Sequence, residues 1–163
     1  DGVVEATNPF GGLVYVVSNQ PLSETVVEIE NTAQAPTFFL GQTSETDWKR
    51  IRNSGAPWGE VVGKQCVVSV PSEVLRTLEN PKALAEYWDE VVRECEKFYA
   101  VPVGTTEQRY QVDRQISAGY MHAGYPIMTG DDVSERFVDL SVLRGRSGSG
   151  LWGFYHEIGH NYQ

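Results

Sequence analysis

The pentapeptide His156-Glu157-Ile158-Gly159-His160 constrains the fold of this chain more than any other stretch. Residues i and i+4 of an α-helix lie one above the other, whereas in a strand they stand roughly 13 Å apart. The spacing therefore predicts a helix from about Leu151, with both imidazoles on one face. Two neutral imidazoles one turn apart can both reach a tetrahedral Zn2+ at roughly 2.0–2.1 Å. Glu157 would stand beside the ion, placed to take a proton from a water that zinc makes acidic. The plainer alternative is a pair of histidines on a solvated surface helix. Zinc also needs a third protein ligand. His122, Asp131 and Asp132 are the candidates within the chain, but Asp131-Asp132 after Gly130 reads as a helix start and His122 as a pocket histidine. The third ligand is expected beyond Gln163.

Upstream, the first third reads as strands. Leu13–Val17 is β-branched and aromatic, Thr25–Glu30 alternates over its second half, and Phe38-Phe39-Leu40 is a third short apolar piece. Thr43 or Ser44 is a candidate cap for a helix bearing Trp48 and Ile51 on one face. Cys66–Val70, closed by Pro71, predicts a strand. Asn80-Pro81 is a cap followed by the residue best suited to the first helical position. Leu84, Trp88, Val91, Val92, Cys95, Phe98 and Tyr99 then recur at helical spacing, with Glu and Lys on the other face. Arg109–Ile116 and Phe137–Leu143 read as two later strands. Between them lies a Gly- and aromatic-rich loop, Gly119–Pro126.

With 22 acidic and 13 basic residues the chain carries a net charge of −9, which repels phosphate backbones and argues against a nucleic-acid partner. Leu13–Val17, the longest apolar run, is far short of the roughly 20 residues of a membrane-spanning helix. Cys66 and Cys95 sit in apolar patterns and read as buried free thiols. Gly148-Ser149-Gly150-Leu151-Trp152-Gly153 matches a dinucleotide-binding fingerprint, but Trp152 is bulky within it and no ribose-binding acid follows. Ser147 and Ser149 lack a nucleophile elbow. Asp1 at the start, and a helix still in progress at Asn161-Tyr162-Gln163, lead to the expectation that the chain is a piece of a longer protein.

Trp152–Gln163 as a block resembles the active-site segment of the enhancin-like, mucin-targeting zinc metallopeptidases, the M60 family. Asn8–Tyr15, Ala56–Glu60 and Met121–Met128 are similar to other blocks of that family, in the same order. Thr77–Pro81 and Met121–Met128 resemble the vertebrate TRP-channel-associated factors among its branches. The resemblance implies an α+β, zincin-like (gluzincin) fold. Residues 1–60 would be a strand-rich N-terminal part of the peptidase domain, and 61–163 a part ending on the active-site helix. It implies His156 and His160 as zinc ligands, Glu157 as general base and a Glu on a later helix as third ligand. Substrates would be O-glycosylated, mucin-like proteins, with His122, Tyr125 and Trp152 as cleft candidates, although buried aromatics are the plainer reading of Tyr120, Tyr125 and Trp152. An extended substrate would pair with an edge strand, sought at Phe137–Leu143 or Arg109–Ile116. The alternative is a binding module whose partner is a membrane channel. The first reading implies a secreted or cell-surface protein, the second an intracellular one at the plasma membrane.

Overall fold

A computed structural model describes residues 3–21, 24–145 and 151–163. A six-stranded mixed sheet organises the chain, in the order β1-β2-β3-β4-β6-β5. Its strands are β1 (Thr37–Phe39), β2 (Trp58–Val62), β3 (Cys66–Pro71), β4 (Gln108–Asp113), β5 (Met121–His122) and β6 (Ile127–Gly130). β1 runs parallel to β2, and β3, β4 and β6 are mutually parallel neighbours. The pairs β2–β3 and β5–β6 are antiparallel. The result is an α+β domain, with β1 and β5 as its two edges.

Helix α1 (Glu45–Ile51) starts where Ser44 accepts a hydrogen bond from the Asp47 N–H, and buries Trp48. The short α2 (Ser72–Leu75) follows β3 directly. α3 (Pro81–Phe98) begins with the Asn80 side chain accepting from the Ala83 N–H. It crosses from β3 to its parallel neighbour β4, a connection that has to be long because parallel strands start at the same end. Leu84, Trp88 and Val92 of α3 meet Val68, Val70, Tyr110, Val112 and Ile127 from the alternating inner positions of the sheet. Trp88 is the centre of this core, fully buried, with the Tyr110 and Phe137 rings at 4.8 and 5.5 Å.

The α3 pattern holds except at its charged and C-terminal positions. Phe98, expected on the packing face, is 83% exposed, its ring edge-on to Tyr99. Conversely Asp89 and Glu96 are buried, each as a carboxylate holding a turn. Asp89 accepts from the N–H groups of Lys64, Gln65 and Cys66 across the β2–β3 turn, at 2.8–3.1 Å. Glu96 accepts from the N–H groups of Gly104, Thr105 and Thr106, from Thr106 Oγ1 and from Gln65 Nε2. Burial pushes the Glu96 carboxyl up, but these donors overcome it and hold the group at about 2.

Three strand expectations fail. Phe137–Leu143 forms two short helices, α4 (Ser134–Val138) and α5 (Leu140–Leu143), after a 3-10 turn at Asp131–Val133. Asp139 breaks any ladder by accepting from the Ser141 and Val142 N–H groups, which starts α5, while Phe137 and Leu143 are buried from the helical side. Leu13–Val17 and Thr25–Glu30 form no strand and are largely exposed. β-Branched runs become strands only where a neighbour supplies the ladder. This segment is tied down elsewhere: Trp58 Nε1 donates to the Phe10 carbonyl and the Tyr15 hydroxyl to Glu60. Arg109 pairs with the same carboxylate and lies 5.0 Å from the Tyr15 ring centre. Burial and Glu60 together push the Tyr15 phenol up to about 12.

Cys66 is buried and Cys95 half-buried, both free thiols, and burial raises the Cys66 thiol well above its ordinary value. No helix among the described residues is long and apolar enough to cross a membrane. Of the dinucleotide fingerprint, Gly148-Ser149-Gly150 lies outside the described residues, as does Ser147.

Candidate metal centre

The final helix, α6 (Trp152–His160), is placed by its apolar side. Phe154 and Ile158 are fully buried one turn apart, and the Tyr110 hydroxyl donates to the Phe154 carbonyl at 2.7 Å. Positions two residues further on point roughly 200° away around a helix. Burial of Phe154 and Ile158 thereby turns His156 and His160 to solvent, where both are exposed. Tyr155 fixes the rotation from the flank, donating to the Leu143 carbonyl and sharing a hydroxyl contact with Tyr87 of α3.

The imidazoles of His156 and His160 meet edge-on, with Nε2 to Nε2 at 3.0 Å. Tetrahedral ligands of Zn2+ stand roughly 3.3 Å apart, so the pair needs little adjustment to share an ion. His160 Nδ1 lies 3.2 Å from Gln163 Oε1. A carbonyl oxygen only accepts, so Nδ1 donates there, which leaves Nε2 as the acceptor in the 3.0 Å contact with His156 and as the atom that would turn to a cation. Glu157, next to His156 in sequence, is half-buried. Trp152, one turn before His156, lies over that ring with centroids 5.3 Å apart, and is 74% exposed.

Of the other cleft candidates, Tyr120 and Tyr125 are exposed too, which overturns the reading of these three aromatics as core. The Tyr125 hydroxyl donates to Glu107. His122 sits on β5, its Nδ1 3.0 Å from the Ala123 carbonyl and its Nε2 3.4 Å from Ser117 Oγ. Asp131 pairs with Arg114, and Asp132 accepts from Tyr120. Among the described residues no three His, Cys, Asp or Glu side chains converge on one point, so none of these completes the histidine pair.

The free edge beside this helix also differs from expectation. Phe137–Leu143 is helical, and β4, which fills most of Arg109–Ile116, is paired on both sides by β3 and β6. β5 has a partner on one side only, and it packs on α6 where Gly153 faces the Met121 side chain. A cavity of about 1040 Å3, lined by acids including Glu73, Asp132 and Asp139, contains no residue of α6. The sequence reading passed over Asn161, whose side chain bonds Gly124 and Gln108. A polar residue at a helix end is a weak signal, and its partners lie 37 and 53 residues away.

A mixed sheet backed by one long crossover helix, with an exposed His-Glu-x-x-His helix against its edge, is an α+β arrangement that brings a histidine pair to a sheet margin. The chain belongs to the family Peptidase M60, enhancin and enhancin-like, whose model matches residues 31–163. Among curated relatives, human (Homo sapiens) TRPM8 channel-associated factor 1 is 39% identical over 158 residues, 94% of this chain and 17% of that protein. The TRPM8 channel-associated factor homolog of Xenopus laevis is 37% identical over the same shares. The chain thus spans 17% of the length of these relatives. Among solved structures, a functionally unknown conserved protein from Bacillus anthracis (a mutant) superposes with a TM-score of 0.65 at 26% identity, covering 78% of this chain and 28% of that one. The M60 catalytic domain of Clostridium perfringens ZmpC, solved with the sialyl T antigen, gives 0.60 at 19% identity, over 80% of this chain and 29% of its own, which shows a shared fold.

Proposed function

We propose that this chain supplies the histidine helix and one wall of the cleft of a zinc-dependent endopeptidase acting on proteins or glycoproteins, O-glycosylated mucin-like ones included. The observation that carries the reading is the exposed His156–His160 pair, with facing Nε2 atoms 3.0 Å apart and Glu157 next to it. His156 and His160 would hold the ion, joined by a Glu C-terminal to Gln163. Zinc bound there would polarise a substrate carbonyl and acidify a water. Glu157 would take the proton released and pass it to the leaving amine. The free edge of β5 would receive an extended substrate backbone, with Trp152, Tyr125 and His122 as candidate contacts. In this reading residues 1–60 form the N-terminal part of the peptidase domain and 61–163 the part that ends on the histidine helix.

A second reading is favoured by the 37–39% identity to TRPM8 channel-associated factors. There the same fold is an interaction module, its partner a membrane channel, and hydrolysis is absent or weak. One experiment separates the two. Zinc content and cleavage of an O-glycosylated protein are measured for the intact protein, for Glu157→Ala and for His160→Ala. The peptidase reading expects stoichiometric zinc, kept but inactive in Glu157→Ala and lost in His160→Ala. Activity surviving Glu157→Ala refutes the proposed base. Zinc without cleavage in the unsubstituted protein supports the module.

A further inference from the structure

One side chain at the end of the histidine helix holds the connection between β5 and β6. Asn161 Oδ1 accepts from the Gly124 N–H at 2.9 Å, and Asn161 Nδ2 donates to the Gly124 carbonyl at 3.0 Å. The same Nδ2 donates to Gln108 Oε1 at 2.7 Å. The amide therefore pairs with Gly124 as a neighbouring strand would, and uses both of its hydrogens. Gly124 has a φ of +127°, which side-chain-bearing residues rarely adopt, so the connection turns both backbone groups of one residue toward Asn161. Gln108 is a firm base for the third bond, being 5% exposed at the start of β4.

We propose that Asn161 is a positioning residue that sets the free edge of β5 relative to the His156–His160 pair. The proposal rests on the peptidase reading above and concerns where the substrate backbone lies, not how the ion is held. The helix end has an anchor of its own. Tyr162 stacks on Tyr99, just past the end of α3, with ring centres 5.4 Å apart and an 11° tilt, and its hydroxyl is 2.8 Å from Thr106 Oγ1. Replacing Asn161 consequently leaves the histidines in place and releases residues 123–126 with β5. Only an amide of this length makes all three bonds at once. Aspartate accepts from Gly124 but cannot donate to Gly124 or Gln108, leucine fills the space without pairing, and glutamine is a methylene too long.

The test compares Asn161→Leu, which adds no charge beside the histidines, with Asn161→Asp and Asn161→Gln in the intact protein. Amide hydrogen exchange, zinc affinity, and KM and kcat on a peptide substrate are read for each. In Asn161→Leu, three hydrogen bonds are lost, so exchange across residues 119–126 should accelerate about tenfold or more, with the α3 amides unchanged. Zinc affinity should stay within about threefold, while KM rises about tenfold and kcat changes less. Asn161→Gln should recover part of the KM. Unchanged exchange at 119–126, or a uniform acceleration over the whole chain, overturns the proposal. So does loss of zinc with KM intact. If the unsubstituted protein cleaves nothing, the peptidase reading fails by itself, and Asn161→Leu is judged by exchange and zinc: a loosened loop with intact zinc supports the clamp, and any other pairing removes it.

Discussion

Replacing Glu96 by Gln changes one atom and little volume, yet the structure assigns it a large cost. In the parent, Oε2 accepts from the Gly104 N–H at 2.7 Å, and Oε1 accepts from the Thr105 and Thr106 N–H groups, Thr106 Oγ1 and Gln65 Nε2. The amide oxygen of glutamine would take the site with four donors, leaving its NH2 pointed at the Gly104 N–H. One charge-assisted bond, about 1.5–3 kcal/mol, is thereby lost, and the others weaken as the acceptor loses its charge. The expected destabilisation is about 3 kcal/mol, or about 6–12 °C in Tm for a domain of this size. The pH dependence has a definite sign. The folded carboxyl sits at about 2, below the unfolded value of about 4.3. The folded state therefore favours the ionised form, and its stabilisation is complete above the unfolded value. It drains away as pH falls from about 5 toward 2. Thermal unfolding followed by circular dichroism at neutral pH, and again between pH 5 and 2, measures both effects. Glu96→Gln should be less stable at pH 7 and should lose less on acidification. A variant within about 1 kcal/mol of the parent at pH 7, or one with the same acid slope, refutes the assignment.

Two further substitutions test the scaffold. Trp88→Ala empties the centre of the core, where Tyr110, Phe137 and Phe154 surround the indole, and should cost about 3–5 kcal/mol in chemical denaturation. Gly63→Ala would set a Cβ 2.3 Å from Asp89 Oδ1. It should displace the carboxylate that caps the β2–β3 turn, seen as a loss of about 2 kcal/mol and faster exchange at the Lys64 and Gln65 amides.

Features carried by local chemistry were legible in the sequence. Asn80-Pro81 starts α3, Ser44 starts α1, and the His-Glu-x-x-His spacing forms the helix it predicts. Features that depend on distant partners were not. Leu13–Val17 has the composition of a strand, but composition names no neighbour, and β2 pairs instead with Thr37–Phe39. The residues of Phe137–Leu143 suit either period, and the Asp139 cap decided for helix. Glu96 read with the Glu and Lys of the polar face, because helical spacing does not show the turn amides, 8 residues on for Glu96 and 25 residues back for Asp89, that take these carboxylates inside. At the site, the sequence delivered the histidines and Glu157 as candidates. The exposure of Trp152 and the grip of Asn161 on Gly124 arise only when α6 meets the sheet edge.

The brevity of β5 has a consequence of its own. Two residues, Met121 and His122, present too few backbone groups to template another copy of the sheet, so this margin is protected from edge-to-edge aggregation. The same shortness means that a chain laid along it gains little from main-chain pairing alone. Selectivity would then fall to side chains protruding around the margin, and swapping those would retune what the surface accepts without disturbing the architecture beneath.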